Sequence, residues 1–315
     1  QGEQGEQGEQ GEQGEQGEQG EQGEQGEQGE PETKDNLDRE WRELVKAAGI
    51  VPHPMLRKVY TLAVKAKQNV MLVGPAGTGK TMIGLQLSQL LGVAFSSVSC
   101  TMGMSESALS GWLLPVGDSG RFSYVAAPFV DCIQKPSVFL FDEMDAADGN
   151  VMLLINSVTS NGFITIPHKL VDPTVIRHPD AIIIAGVNTI GGQGSEQYSA
   201  RGLIDGATTD RFYTMSVDYD MADISNLFKP AGGKAKRKSP QWSPVQPATD
   251  EQLESAGEWF IRTMNATRKA KLSKIIGRRM ADKLQSAMRV GVSFEEAKAD
   301  LMLDWSKDEL TRVGA

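Results

Sequence analysis

Apolar residues recur along the chain with two different periods, and the segments that carry them alternate. In residues 35–48, Leu37, Trp41, Leu44, Val45 and Ala48 stand at helical spacing, and Gly49 ends the run. Pro52 and Pro54 then open a second predicted helix, running to about Lys67. A short apolar run at residues 70–73 reads as a buried strand, and further strand candidates are residues 94–99, 138–141 and 181–187, with another near 212–217. A helix is expected over residues 81–91, directly after a glycine-rich stretch. Strands that alternate with helical segments imply an α/β fold, a parallel sheet covered on both faces.

The pattern lapses twice. Residues 230–248 are rich in Pro, Gly, Ser and Lys without periodicity, which reads as a linker. Helical spacing returns in residues 251–267, then at Met280, Leu284 and Met288, and again at Phe294, Ala297 and Leu301, so a small all-helical domain is expected. At the other end, residues 1–30 are ten copies of Gln-Gly-Glu. Glycine at every third position is what a collagen triple helix requires, and a trimerising stalk is one reading. The absence of proline and a glutamate in every triplet favour a disordered tail. The division expected is a low-complexity tail (1–34), an α/β domain with N-terminal helices (35–229), a linker (230–249) and a helical domain (250–315).

Composition narrows the classes. A chain of 315 residues with 39% hydrophobic content can bury a large core. No run approaches the roughly 20 apolar residues of a membrane helix, and no secretory signal pattern opens the sequence, so a cytoplasmic location is expected. The formal charge is −9, but residues 1–30 hold ten Glu and no basic residue, leaving +1 for the remainder. That balance disfavours a strongly basic nucleic-acid binder, although Lys234, Lys236, Arg237 and Lys238 form a local basic cluster, read as solvated linker or as a patch for an acidic partner. Cys100 and Cys132 lack a CxxC spacing and His53, His168 and His178 form no ligand pattern, so neither a disulfide framework nor structural zinc is expected.

Gly74-Pro75-Ala76-Gly77-Thr78-Gly79-Lys80-Thr81 matches the Walker A pattern at every fixed position, between an expected strand and an expected helix. Its glycines let backbone N–H groups turn toward phosphates, Lys80 neutralises the β and γ phosphates, and Thr81 offers its hydroxyl to Mg²⁺. Met82 follows in the same nucleotide-binding segment. The second motif is Val138-Phe139-Leu140-Phe141-Asp142-Glu143, in which Asp142 can hold Mg²⁺ and Glu143 can orient and deprotonate the attacking water. Asp145 adds a third carboxylate, either catalytic or a cap for the next helix.

This order of elements resembles the AAA+ superfamily, and within it the MoxR-like branch that includes the small ATPase subunit of cobaltochelatase. The resemblance covers roughly residues 50–218 and, more weakly, the helical tail. It implies a three-layer P-loop core with a helical lid, hydrolysis of ATP with Mg²⁺, and a homo-oligomeric ring, hexameric by that resemblance, that remodels a protein client or a partner bearing a metal-dependent adhesion domain. The strand at 182–187 with Asn188 resembles the sensor 1 strand, so Asn188 would reach the γ-phosphate or the lytic water; an Asn there can also be a turn former. Asp210-Arg211-Phe212 resembles the segment that supplies an arginine finger to the neighbouring subunit, with Arg201 a weaker candidate. Gly277-Arg278-Arg279 falls where a sensor 2 motif would, and Arg279 fits better than Arg278. Residues 109–112 and 120–122 resemble a stretch leading to a central pore. Residues 161–167 read as a turn and strand, either that branch's inserted hairpin or a plain edge hairpin. A motor stimulated by nucleic acid is the rival reading of the whole chain.

Overall fold

The computed structural model describes residues 34–117, 120–190, 204–229, 247–274 and 276–314. The Gln-Gly-Glu repeats, Arg201 and the basic cluster at 234–238 lie outside the described residues. The chain divides into two compact units, residues 1–40 and residues 41–315. Of the first, the described part is the opening of helix α1, Lys34–Ala48.

In the second unit, α2 (Leu56–Tyr60) continues as a π-helical stretch, Thr61–Lys65, and leads into strand β1 (Val70–Val73). Helix α3 (Lys80–Leu91) and strand β2 (Ala94–Ser99) follow. A short helix α4 (Ser107–Ser110) precedes an antiparallel hairpin of β3 (Trp112–Val116) and β4 (Arg121–Val125). Helix α5 (Pro128–Ile133), strand β5 (Ser137–Asp142), a 3₁₀ turn at Met144–Ala146 and helix α6 (Gly149–Asn161) come next. A second hairpin pairs β6 (Phe163–Thr165) with β7 (Thr174–Ile176), so the strand expected at 161–167 does have a partner. Then come β8 (Ala181–Val187), α7 (Gly206–Asp210), β9 (Tyr213–Ser216) and α8 (Met221–Leu227). The last four helices are α9 (Asp250–Lys269), α10 (Arg278–Arg289), α11 (Phe294–Leu301) and α12 (Lys307–Val313).

Five strands form one parallel sheet in the order β2-β5-β8-β1-β9. The central strands are apolar throughout because both faces are covered, as a parallel sheet requires. Alternate residues point to opposite sides. Met71, Phe139, Phe141, Ile183, Ala185 and Val187 pack with residues of α5 and α6. Val70, Leu72, Val138, Leu140, Ile182 and Ile184 pack with α2 and α3. A separate core joins α8 to the last four helices around Phe228, Phe260, Leu284 and Met288. The observed architecture is therefore an α/β P-loop core with carboxyl-terminal helices.

Helix ends follow local chemistry. Asp148 caps α6 by accepting from the backbone of Asn150 and Val151, and Thr249 with Gln252 forms a capping box on α9. Asp145 caps no helix, contrary to one of its two sequence readings; it is buried within the 3₁₀ turn before Asp148. The second predicted helix is present, as α2 and its π-helical continuation to Lys65, but it starts only at Leu56, after the proline pair, and residues 51–55 are loop.

Phe129, Phe139 and Phe141 stack under the sheet with ring centroids 4.8, 5.1 and 5.0 Å apart. Truncating Phe139 to Ala removes the middle of this cluster and should destabilise the fold by about 3–5 kcal/mol. Equilibrium denaturant unfolding measures it.

Candidate nucleotide site

Three strand ends meet at one place. The loop after β1 turns back at residues 74–79 and feeds α3, and β5 and β8 end beside it. Gly77 (φ +84°) and Gly79 (φ +87°) adopt left-handed backbone that side chains disfavour, and Gly79 is the residue before the first turn of α3. Gly74 is needed for a different reason. Its N–H donates to Val187 O at 3.1 Å, and a Cβ there would overlap the Val217 carbonyl. The loop thus threads between β8 and the residue that follows β9.

Lys80 is the buried centre of the arrangement. Its Nζ donates to Gly74 O at 2.6 Å, to Pro75 O at 3.0 Å and to Asn188 Oδ1 at 3.1 Å. Burial lowers the ammonium pKa, and the neighbouring Asp142, Asp145 and Glu143 oppose that shift. Thr81 Oγ1 donates to Asp142 Oδ2 at 2.6 Å, which joins the start of α3 to the end of β5. Gly186 makes room for this contact, since a Cβ there would stand 3.1 Å from Asp142 Oδ1. Glu143 follows in left-handed backbone (φ +54°), a conformation that costs a non-glycine residue about 1–2 kcal/mol. Its N–H donates to Asp142 Oδ1 at 3.0 Å, which holds the turn that sets Glu143 at the mouth of the cleft.

Asn188 ends β8 with its side chain on Lys80 and its backbone N–H donating to Asp145 Oδ2 at 3.2 Å. The turn-former reading of Asn188 does not account for the first bond. Asp145 therefore ties the end of β5 to the end of β8 from below. Thr81 and Asp142 present hard oxygen donors side by side, a donor set that suits Mg²⁺.

The carboxyl-terminal helices close the cleft. Arg278 and Arg279 both line it, but they are held differently. Arg278 pairs with Asp223 and, at 2.9 Å, with Asp282. Arg279 lays its aliphatic stem over the phosphate loop, where a Cβ on Gly77 would lie 3.6 Å from Arg279 Cγ. Tyr219 Oη donates to Ala76 O at 2.9 Å, and its ring fills the space that a side chain at Gly277 would need. Arg268 stacks on that ring at 5.2 Å and pairs with Asp218 at 2.5 Å. The cleft so enclosed measures about 550 Å³ and also takes in Met82.

Arg211 lies elsewhere. Its guanidinium donates to Ser160 Oγ and Ala207 O, and its backbone carbonyl accepts from Asn69 Nδ2 at 3.2 Å. Sequence reasoning missed His53, Gln86 and Tyr219, each of which lines the cleft. Their partners are distant in sequence, so no local pattern marked them.

Residues 69–211 match the family described as the AAA domain of the dynein-related subfamily. That stretch, which spans β1 to Arg211, is similar to an AAA domain, and the α/β P-loop fold described above fits the match. An uncharacterized protein of Staphylococcus epidermidis is 23% identical over 164 residues, 50% of this chain and 58% of that one. An uncharacterized protein of Staphylococcus aureus is 25% identical over 167 residues, 51% of this chain and 60% of that one. The chain thus spans somewhat under two thirds of the length of these relatives. The crystal structure of a candidate ATPase from Cytophaga hutchinsonii aligns with 84% of this chain and 86% of its own at a TM-score of 0.43 and 15% identity. Among the described residues, no helix is long and apolar enough to cross a membrane.

Replacing Gly74 by Ala forces the loop away from Val217. The variant should lose about 1–3 kcal/mol of stability and bind nucleotide more weakly, read by denaturant unfolding and by titration with a fluorescent ADP.

Proposed function

We propose that this chain is a Mg²⁺-dependent ATPase of the MoxR-like kind that works as a homo-oligomeric ring, by resemblance a hexamer, on a protein partner. The observation that carries the reading is the position of Lys80 Nζ, shared between the loop carbonyl of Gly74 and the side chain of Asn188, with Thr81 on Asp142 beside it. A bound triphosphate would replace the two loop carbonyls as acceptors of the ammonium, so the γ-phosphate would meet Lys80 and Asn188 together. Mg²⁺ held by Thr81 and Asp142 would neutralise charge on the β and γ phosphates.

Glu143 then takes a proton from a water molecule as its oxygen attacks the γ-phosphorus, and the bond to the ADP oxygen breaks. Asn188 positions that water, and Arg279, reaching over Gly77 from the lid, registers the γ-phosphate. Residues 35–229 are the nucleotide-binding domain and 250–315 its lid. Tyr219 and Gly277 bring the two together, so a change at the phosphate loop passes directly to α10.

Arg211 supports the ring. It stands outside the cleft of its own chain, on the far side of Asn69, where it could complete a neighbour's cleft instead. The β3–β4 hairpin supports a protein partner: on one of its faces Trp112 (41% exposed), Leu114 and Val116 stand in a row, with exposed Val125 opposite Trp112. Such a surface suits apolar side chains of a client better than a polyanion.

Glu143→Gln should bind ATP as the wild type does and lower turnover by at least about 10²-fold. Phosphate release and nucleotide titration, run in parallel, check both halves. Turnover near that of the wild type would remove Glu143 from the mechanism.

A further inference from the structure

Residues 51–54 line the cleft, and one histidine among them reaches the phosphate loop. His53 Nε2 lies 3.1 Å from Thr78 O, and Met55 N–H donates to His53 Nδ1 at 3.1 Å. A backbone amide can only donate, so Nδ1 must accept and the ring proton must sit on Nε2, from where it is donated to Thr78 O. The tautomer is therefore fixed by the loop itself. The ring also lies flush against the turn: a Cβ on Gly79 would stand 3.2 Å from His53 Cδ2 and 3.3 Å from Nε2.

Gln86, on the second turn of α3, holds the loop that carries this ring. Its Oε1 accepts from His53 N–H at 2.8 Å, and its Nε2 donates to Val51 O at 2.8 Å. One side-chain amide thus grips two backbone groups, as a neighbouring strand would, and keeps residues 51–53 from becoming helical. Burial holds the ring pKa below its ordinary value, and the hydrogen bond to the Thr78 carbonyl, then the charges of Asp220 and Asp223, oppose that shift.

The orientation of the Thr78 carbonyl matters because the phosphate cradle is made of N–H groups. A carbonyl turned inward would face phosphate oxygens and repel them. We infer that His53 is a positioning residue of this site, holding the Thr78 carbonyl out of the cradle through Nε2–H, with Gln86 fixing the loop from which it acts. The inference rests on reading the cleft as a nucleotide site, and it assigns His53 no contact with the reacting atoms.

The test is titration of the full chain with a fluorescent ADP, which needs no turnover. His53→Leu keeps the bulk and removes the donor, and should weaken binding about tenfold. His53→Gln restores a donor near the Nε2 position and should bind within about threefold of the wild type. Gln86→Leu frees the loop without touching the ring and should weaken binding in the same direction, which keeps the test alive if His53→Leu does not fold. Rescue by His53→Gln is the outcome that a merely structural histidine would not give. Wild-type affinity in both Leu variants, or His53→Gln no better than His53→Leu, overturns the inference. A wild-type chain that binds this ADP but releases no phosphate from ATP would count against the hydrolysis reading alone. One that binds no nucleotide overturns both.

Discussion

The cleft is organised around a buried ammonium. Lys80 is 7% exposed, and a cation so placed must be surrounded by oxygen acceptors or it would not stay charged. Here Gly74 O, Pro75 O and Asn188 Oδ1 supply them, and Asp142, Asp145 and Glu143 supply the field. Each acceptor comes from a different constraint. The Gly74 carbonyl is where it is because β8 and Val217 leave no room for a side chain, and Asn188 is where it is because Asp145 holds its backbone. The sheet exists, from the viewpoint of this lysine, to bring β1 and β8 to an end within one hydrogen bond of it and to set the Asp142 carboxylate of β5 nearby.

A second set of contacts converts this centre into something that can move. Tyr219 bonds Ala76 O and packs where Gly277 lacks a side chain, Arg279 lies over Gly77, and Arg278 ties α10 to α8 through Asp223. These contacts all bear on the phosphate loop from the carboxyl-terminal helices, whereas His53 bears on it from the amino-terminal side. A loop gripped from two directions has few ways to relax, so ligand charge at its centre is transmitted to its neighbours and not absorbed locally.

Much of this was legible in the sequence, and the reason is physical. The apolar runs at 70–73 and 181–187 coincide with β1 and β8, because a strand covered on both faces has no polar positions to blur its limits, whereas β2 fills the expected 94–99 although Ser96, Ser97 and Ser99 interrupt its apolar residues. The phosphate loop was legible because left-handed turns demand glycine at fixed spacing. His53, Gln86 and Tyr219 were not, since their partners lie 25, 33 and 143 residues away and nothing local requires their identity. The start of α2, expected at the proline pair and found at Leu56, has the same origin: proline favours a helix start, and the Gln86 amide holds Val51 and His53 in a loop. Asp145 was ambiguous for a related reason, as a carboxylate before a helix usually caps it, and only the approach of Asn188 shows its other task.

The most direct measurement is phosphate release from ATP by the wild-type chain across a series of protein concentrations, with Mg²⁺ and after its removal by a chelator. The account predicts release that requires Mg²⁺, that is abolished in Lys80→Ala, and whose rate per subunit rises with concentration as Arg211 of one copy completes the cleft of the next. Absence of phosphate release at every concentration, or release undiminished in Lys80→Ala, would contradict it.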